Sequence, residues 1–245
     1  MIIAIIQARM GSTRLPGKVL MEIDYKPLLA YLLDRISKST QIDKVVVATS
    51  VLEKDNLIEI FCKSYGVDCF RGSEDDVLGR YYNCAKKYDA DAIVRLTADC
   101  PLSDPVIIDG VIQKFIDDNV DFCANTVPVE TSEFPDGVDV EVFSITALEK
   151  ANKEVSDKHF REHVTFQFWQ TDRYTSSQFK QKINLSDYRL AVDYPEDFEL
   201  VRYVLGEIKS KRIFGSLKEL VDIIDNNKEI KELNSKYYFG QGWDK

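Results

Sequence analysis

The segment at residues 7–18, which reads QARMGSTRLPGK, combines cations with small polar residues. Its cations are Arg9, Arg14 and Lys18. Smaller or uncharged residues stand among them, namely Gln7, Ala8, Gly11, Ser12 and Thr13. The glycine permits a close backbone approach, and the hydroxyls add hydrogen-bond donors. Three cations on one loop could converge on a polyphosphate, although a turn with solvated charges has a similar composition.

The position of this segment favours the binding loop over the solvated turn. It directly follows an apolar run at residues 2–6, which is typical of a buried strand. Ligands of open α/β sheets bind at the carboxyl ends of strands. The loop is neither G-x-x-x-x-G-K-[ST] nor G-x-G-x-x-G, because Gly11 and Gly17 bracket five residues and Val19 follows Lys18. We therefore expect a polyphosphate site of another type.

Two aspartates have a comparable setting at predicted strand ends. Asp99 follows an apolar run at residues 92–96, Asp193 follows one at residues 190–192, and a proline comes two positions after each. Two carboxylates at neighbouring strand ends could hold Mg²⁺, which completes its coordination shell with phosphate oxygens and water. Each aspartate could equally cap the helix that follows it. The residues alone leave both interpretations open.

Strands and helices alternate in the first half of the chain. Runs that are apolar on both faces, typical of central strands in a parallel sheet, lie at residues 2–6, 45–48 and 92–96. Segments with helical spacing follow them at residues 27–36, 57–62 and 73–85. This alternation predicts an α/β fold with a doubly wound, mostly parallel central sheet and helices on both faces.

The second half reads differently, and we expect it to make the sheet mixed. Strands are predicted at residues 121–125, 138–143 and 188–191, and helices at residues 146–153, 158–169, from Pro195 onward and over 216–233. We predict one domain over residues 1–245, with residues 216–245 as a helical extension. Its aromatic tail, which contains Tyr237, Tyr238, Phe239 and Trp243, could pack on its own subunit or on a partner.

Composition excludes several classes of function. The 245 residues include 32 Lys and Arg against 41 Asp and Glu, a net charge of −9, so no basic surface invites nucleic acid. No apolar run reaches the length of a membrane span. The five cysteines are odd in number and form no C-x-x-C motif, which favours reduced residues of a soluble cytoplasmic protein.

Several segments together resemble a known family. Residues 5–18 (IIQARMGSTRLPGK) resemble the signature of the cytidylyltransferases that make CMP-activated acidic sugars, the CMP-KDO and CMP-sialate synthetases. The likeness is greatest to the branch of spore-coat polysaccharide biosynthesis protein F. It continues through residues 71–78 (RGSEDDVL), 95–101 (RLTADCP), 135–137 (PDG) and 191–197 (AVDYPED). The resemblance implies a nucleotidyltransferase (GT-A-like) Rossmann-type architecture.

The resemblance also implies an activity, in which CTP and a sugar acid or phosphorylated acceptor give a CMP-sugar and pyrophosphate. Asp99 and Asp193 match the metal aspartates of the family, which raises the Mg²⁺ interpretation above the capping one. Arg14 and Lys18 would neutralise the phosphates and, with Asp99, form the catalytic set. We expect Lys18→Ala to reduce turnover with little effect on stability. A homodimer is implied by the resemblance alone.

The remaining expected site residues contact the nucleotide or the acceptor. Nucleotide-binding residues are expected to be Gln7, Ala8, Arg9, Gly11, Ser12, Ser73, Thr97 and Ala98. Thr97 and Ala98 stand where the related synthetases carry Gln-Gly, a departure that concerns base recognition. Arg161 and His163 resemble the acceptor-side Arg and His of these synthetases. Asp136 and Glu141 could accept a sugar hydroxyl, or could be an ordinary turn aspartate and an edge-strand glutamate.

Three other interpretations have weaker support. Residues 159–163 (HFREH) match the H-x-x-E-H metalloprotease pattern, but the chain contains no other histidine and we do not predict zinc there. A metal-dependent nucleotide-sugar glycosyltransferase would use the same kind of fold, but the three-cation loop suits a triphosphate better. A noncatalytic nucleotide-binding module would need neither Asp99 nor Asp193.

Overall fold

A seven-stranded mixed sheet forms the centre of the molecule, and the computed structural model describes residues 1–241. Its strands, in chain order, are β1 (Ile2–Gln7), β4 (Lys44–Ser50), β5 (Asp68–Gly72), β6 (Ala92–Thr97), β7 (Phe122–Ala124), β8 (Glu141–Ser144) and β9 (Ser176–Gln178). A separate small hairpin consists of β2 (Glu22–Ile23) and β3 (Lys26–Pro27). The strand order in the large sheet is β5-β4-β1-β6-β8-β7-β9.

Ten helices accompany the sheet within the described residues. They are α1 (Leu28–Ile36), α2 (Asn56–Tyr65), α3 (Val77–Lys87), α4 (Pro105–Asp118), α5 (Ile145–Glu154), α6 (Lys158–His163), α7 (Phe166–Trp169), α8 (Pro195–Lys211), α9 (Leu217–Asp225) and α10 (Lys228–Glu232). Short 3₁₀ helices occur at Lys18–Leu20, Glu53–Asp55 and Val129–Thr131.

The apolar alternation in β1 divides the core into two layers. Ala4 and Ile6 face a cluster that includes apolar residues of α1, α2, α4, α8 and α9. Ile3 and Ile5 face a second cluster with residues of α3 and α5. Because each strand side is covered by helices, both faces of the sheet are buried. The prediction of a doubly wound sheet with helices on both faces is confirmed.

The parallel half of the sheet brings the ends of β1 and β6 side by side. β1 pairs in parallel with β4 on one side and with β6 on the other, where Gln7 lies opposite Thr97. β8 then pairs antiparallel with both β6 and β7, so that Arg95 lies opposite Glu141. The prediction of a mixed sheet is therefore confirmed as well.

Several predicted elements differ from the structure. The single helix predicted over residues 158–169 is divided into α6 and α7, because Val164 has a φ of 55° and interrupts the helical path. Residues 188–191 form no strand, and one bridge between Asp136 and Arg189 is their only sheet-like pairing within the described residues. The helix predicted over 216–233 is divided into α9 and α10. β5 and α4 were not predicted.

The C-terminal extension packs on the rest of its own chain. Leu217, Leu220 and Ile224 of α9 belong to the same buried cluster as α1 and α8. The Tyr237 ring stacks on Tyr194, with ring centroids 3.9 Å apart and an interplanar angle of 4°. The expectation for Trp243 lies outside the described residues, and a single domain over residues 1–245 stays a prediction. Among the helices described, none is long and apolar enough to cross a membrane.

Gly137 should be essential for the close approach of two backbone segments. It has a φ of 100°, and a Cβ there would overlap the backbone nitrogen of Ala191 and the carbonyl carbon of Leu190. We expect Gly137→Ala to lower the free energy of unfolding by about 3 kcal/mol, from left-handed strain and steric overlap together.

The matched control is Gly206→Ala within α8, where an added Cβ meets nothing within 4 Å. This variant should be more stable than wild type by about 0.5–1 kcal/mol, because alanine favours the helix. Urea unfolding of both proteins provides the measurement, and similar stability in the two variants would contradict the predicted close approach.

Candidate active site

The loop after β1 is held by its own hydrogen bonds and by a buried aspartate. The Met10 amide donates to Asp55 Oδ1 at 2.8 Å, and the Gly17 amide donates to the Met10 carbonyl at 3.0 Å. The Ser12 hydroxyl accepts from the Leu15 amide at 3.2 Å. Gly17 has a φ of 73°, a left-handed conformation that turns the chain into the 3₁₀ helix at Lys18–Leu20. The loop thus directs Lys18 inward.

The Lys18 ammonium bridges the two predicted aspartates. Its Nζ lies 2.6 Å from Asp99 Oδ2 and 2.8 Å from Asp193 Oδ1, and Lys18 is only 7% exposed. Asp99 follows β6 and Asp193 precedes α8, so three distant parts of the sequence meet here. Arg14 adds a second cation, with one guanidinium nitrogen 2.5 Å from Asp193 Oδ1.

These contacts keep all three groups charged. Burial raises the pKa of Asp99, but the Lys18 charge and hydrogen bonds outweigh it and the pKa lies below its ordinary value. The same balance holds for Asp193, whose pKa is also lowered by Lys18 and Arg14 against the effect of burial. Burial lowers the pKa of Lys18, yet the two carboxylates raise it above its ordinary value. The cluster is a mutually stabilised set of ions.

Helix capping does not occupy either aspartate. Asp104 caps α4 by accepting from the Val106 amide at 2.9 Å. Asp197 Oδ2 accepts from the amides of Asp193 and Tyr194, each at 2.9 Å, at the beginning of α8. Because other carboxylates cap these helices, the side chains of Asp99 and Asp193 are directed to Lys18 instead.

A first cavity of about 320 Å³ opens beside this cluster. Most of the residues predicted from the sequence line it: Gln7, Arg9, Ser12, Arg14, Lys18, Thr97, Ala98, Asp99, His163 and Asp193. Arg9 is exposed and has no carboxylate partner among residues 1–241. The first cavity therefore offers three cations, of which Arg9 is unpaired, and the loop hydroxyls of Ser12 and Thr13, groups suited to binding phosphate. Three carboxylates also line it, those of Asp99, Glu162 and Asp193.

A second cavity of about 220 Å³ shares Asp99, Asp193 and His163 with the first. Asp136 and Glu141, both predicted to contact an acceptor, lie in its lining. The sequence did not indicate several further members, namely Arg95, Thr126, Asp139, Arg189 and Gln241. The carboxylates of Asp99 and Asp193 therefore lie at the border between the two cavities.

Arg189 is the most connected residue that the sequence did not reveal. Its guanidinium contacts Asp136, Asp193 at 2.7 Å and Asp197 at 3.1 Å. Burial lowers its pKa, but these carboxylates raise the pKa above its ordinary value. The only local signal was its position close before the 191–197 motif.

Four predicted site residues line neither cavity. Ala8 is buried, and a Cβ on Gly11 would meet Lys54 rather than a ligand space. Ser73 accepts from the Asp76 amide at 3.0 Å at the beginning of α3. The Arg161 guanidinium is bound to Asp76, Asn152 and Val155, so its donors serve the packing of α6 against α3 and α5.

The two histidines of the H-x-x-E-H segment lie close together, with ring centroids 4.6 Å apart. His163 stacks on Phe166 at 4.3 Å, and burial, followed by the charge of His159, lowers the pKa of His163 to about 4. His163 is therefore neutral at pH 7 and can act as a hydrogen-bonding wall of both cavities.

Asp99 and Asp193 fit Mg²⁺ as a pair of hard oxygen ligands. Both direct an oxygen to the same point, which the Lys18 ammonium shares. In residues 1–241 no group of three or more His, Cys, Asp or Glu side chains is arranged to hold a metal. A cation that takes two carboxylates and completes its shell with phosphate and water needs no third protein ligand.

A doubly wound, mostly parallel sheet with a cationic loop after its first strand, one carboxylate after the neighbouring strand and a second before a helix is the arrangement of a nucleotidyltransferase. The chain matches the family model described as cytidylyltransferase over residues 3–241. It belongs to the cytidylyltransferase family, and the family predicted from the sequence is confirmed.

Relatives across nearly the whole chain agree with this assignment. The chain is 33% identical to spore coat polysaccharide biosynthesis protein SpsF of Bacillus subtilis (strain 168), covering 92% of this chain and 95% of that protein. It is 34% identical to a solved cytidylyltransferase of Leptospira borgpetersenii serovar Hardjo-bovis (strain JB197), with a TM-score of 0.87 and coverage of 94% and 95%. A 3-deoxy-manno-octulosonate cytidylyltransferase of Trichlorobacter lovleyi is 34% identical over 47% of this chain and 45% of its own.

Lys18 should matter for stability as well as for activity, which corrects the expectation of a nearly unchanged fold. Removing it leaves Asp99 and Asp193, both of them half-buried, with less compensation. We expect Lys18→Met to lower the free energy of unfolding by about 3 kcal/mol at pH 7.

The difference in the free energy of unfolding between wild type and Lys18→Met should depend on pH. In wild type the lowered pKa values of Asp99 and Asp193 contribute stability above the ordinary value of 3.8, which is lost as the pH falls through the lowered values. Urea titrations of both proteins should therefore differ most near pH 7 and begin to converge only below about pH 4. Lys209→Met, which removes an exposed pair with Asp24, should show no such dependence. A constant difference at all pH values would contradict the ion cluster.

Arg161 should support the fold rather than the ligand. Arg161→Gln loses the pair with Asp76 and the bonds to Asn152 and Val155, and should lower the free energy of unfolding by about 1 kcal/mol, since Asp76 is partly exposed. We expect KM for the acceptor to stay unchanged in steady-state assays. Arg173→Gln, which removes an exposed pair with Glu154, serves as the control. A raised KM for the acceptor with normal stability would contradict this structural role and would support the predicted contact of Arg161 with the acceptor.

Proposed function

We propose that this enzyme transfers CMP from CTP to an oxygen of a sugar acid or related acceptor and releases pyrophosphate. The observation that carries the proposal is the Lys18 ammonium, which joins Asp99 and Asp193 at the border of two adjoining cavities. The first cavity would take the nucleotide and the second the acceptor. The reaction then occurs at their border.

The chemistry needs little covalent participation by the protein. The acceptor oxygen attacks the α-phosphorus of CTP, its proton is lost, and the bond from that phosphorus to the oxygen of the leaving pyrophosphate breaks. Arg9 is free to bind the phosphates, and Arg14 and Lys18 would stabilise the negative charge that accumulates on pyrophosphate. One oxygen of Asp136 accepts a hydrogen bond from Arg189. Its other oxygen makes no hydrogen bond within residues 1–241 and could accept one from the reacting hydroxyl.

Asp99 and Asp193 would hold Mg²⁺, which when bound supplies charge neutralisation at the phosphates. For these carboxylates to do so, Lys18 must shift from them toward the phosphates. Lys18 is suited to this exchange because its flexible stem carries a compact charge. His163, neutral at pH 7, would donate or accept a hydrogen bond without adding charge to the border.

The acceptor class is supported by the relatives rather than by geometry. The SpsF name refers to polysaccharide biosynthesis, and the partial relative acts on 3-deoxy-manno-octulosonate. We propose a surface-polysaccharide precursor as the acceptor, and a homodimer as the assembly. Thr97 and Ala98 line the first cavity beside Gln7, and we propose that they contribute to recognition of the base.

A nucleotide screen tests the activity. Purified enzyme with Mg²⁺ is incubated with CTP, UTP, ATP or GTP and a panel of sugar acids and sugar phosphates, and pyrophosphate release is measured. We expect release with CTP and at least one acceptor, together with a CMP-linked product. Transfer of a sugar from a nucleotide sugar would instead support the glycosyltransferase, and metal-independent binding without turnover would support the noncatalytic module.

Asp99 and Asp193 should act as one unit. Asp99→Asn and Asp193→Asn should each lower kcat/KM by about 10²–10³, because an amide cannot supply the carboxylate charge. The double variant should be little worse than the worse single variant. Titration of activity with Mg²⁺ and melting temperatures are measured on all three, with Asp109→Asn as a control remote from both cavities. Additive losses, or lost stability with normal Mg²⁺ dependence, would refute the shared site.

A further inference from the structure

The second cavity has an excess of carboxylates over cations. Three arginines line it against five carboxylates, and every one of those arginines is already ion-paired. Arg95 pairs with Glu141, Arg14 with Asp193, and Arg189 with Asp136, Asp193 and Asp197. In the part of the chain that the structure describes, every arginine of this cavity has a carboxylate partner, although the Arg95 Nε is buried without a hydrogen-bond partner.

Asp139 is the carboxylate that these arginines leave uncompensated. It accepts from the Thr126 hydroxyl and from the Gly137 amide, each at 2.8 Å, and has no ion pair with any residue from 1 to 241. Burial, with the charges of Glu141 and Asp99, raises the pKa of Asp139 to about 6. At pH 7 it is therefore mostly ionised, and no cation of the lining is paired with it.

One acceptor atom near the border has no hydrogen-bond donor. Gln7 lines both cavities, and its Oε1 is buried without a hydrogen-bond partner among the described residues. Buried polar atoms are normally satisfied, so an unpaired one at a binding cavity indicates a ligand that donates. The first cavity differs, because three cations line it against three carboxylates, and Arg9 among these cations has no carboxylate partner within residues 1–241.

We propose that the acceptor carries a protonated amine and that Asp139 binds it. This inference rests on the proposed function and narrows its acceptor to amine-bearing compounds, such as an amino sugar or an amino sugar acid. An ammonium would compensate the charge of the Asp139 carboxylate, which has no ion pair among the described residues. An acceptor recognised only by its own anionic group would first have to separate a buried ion pair of Arg95 or Arg189, which is costly.

Binding of matched probes to the full-length protein without nucleotide tests the proposal. The pairs are glucosamine and glucose, glucosaminate and gluconate, and glucosamine 1-phosphate and glucose 1-phosphate, with Kd measured by ligand-observed NMR at pH 7.5. We expect the amine to bind about tenfold or more tightly than its hydroxyl twin in at least one pair. Equal affinity within every pair, or no binding of any amine, overturns the proposal.

Variants at Asp139 test whether the preference for an amine depends on the charge of this carboxylate. Asp139→Asn keeps one oxygen for the Gly137 amide, and its NH2 group can donate to the Thr126 hydroxyl oxygen, but the variant should lose the amine preference. Asp139→Glu should retain part of it. Asp109→Asn is the matched control, because Asp109 also accepts from a backbone amide and a hydroxyl, at Thr40, but lies outside the cavity. A preference that survives in Asp139→Asn overturns the assignment, and melting temperatures verify that each variant is folded.

The two proposals can fail separately. Pyrophosphate release from CTP is measured in parallel with the same acceptors, whereas the probe affinities need neither CTP nor turnover. An amine preference that depends on Asp139 without any reaction of CTP would contradict the proposed function alone. Turnover of CTP with hydroxyl acceptors, and no amine preference, would contradict the amine alone.

Discussion

Burial of the Lys18 ammonium is the constraint on which the rest of the site depends. A charge that is 7% exposed must be compensated by groups of opposite sign, and two carboxylates supply this compensation. They lie 81 and 175 positions away along the chain. The parallel pairing of β1 with β6, and the position of α8 beside them, are what bring these carboxylates within reach. The loop can therefore bury its lysine only because the fold of the sheet brings both carboxylates to it.

The compensation continues behind Lys18 through Arg189. This arginine contacts Asp193 on one side and Asp136 and Asp197 on the others, while Asn234 donates to Asp197 and to the Arg189 carbonyl. The network therefore connects the loop after β1 to the C-terminal extension. Because each member is buried with its partners, removal of one leaves others uncompensated, and the energetic effects cannot be assigned to single pairs.

Local patterns predicted the parts of the molecule that depend on local chemistry. The central strands are apolar on both faces, and the cations of the loop lie within twelve residues of one another. Both features could therefore be predicted from short stretches of sequence. Arg189 and Asp139 were not, because their importance comes from partners distant in sequence. Similarly, the division of the helix predicted over 158–169 depends on Val164, a residue whose type gives no indication of a positive φ. β5 was missed because Asp68–Gly72 is a half-buried edge strand without a continuous apolar run.

Arg161 shows why a matching motif does not by itself place a side chain. Its likeness to an acceptor-side arginine depends on sequence position, whereas its guanidinium is occupied by Asp76, Asn152 and Val155. The charged groups that do reach the cavities differ in balance, because three cations and three carboxylates line the first, whereas three arginines and five carboxylates line the second. The lining of the first cavity is therefore more favourable to a polyphosphate than that of the second. If both cavities are used as proposed, this asymmetry orients the nucleotide so that its α-phosphate meets the acceptor at Asp99 and Asp193, before any contact specific to the base or the sugar.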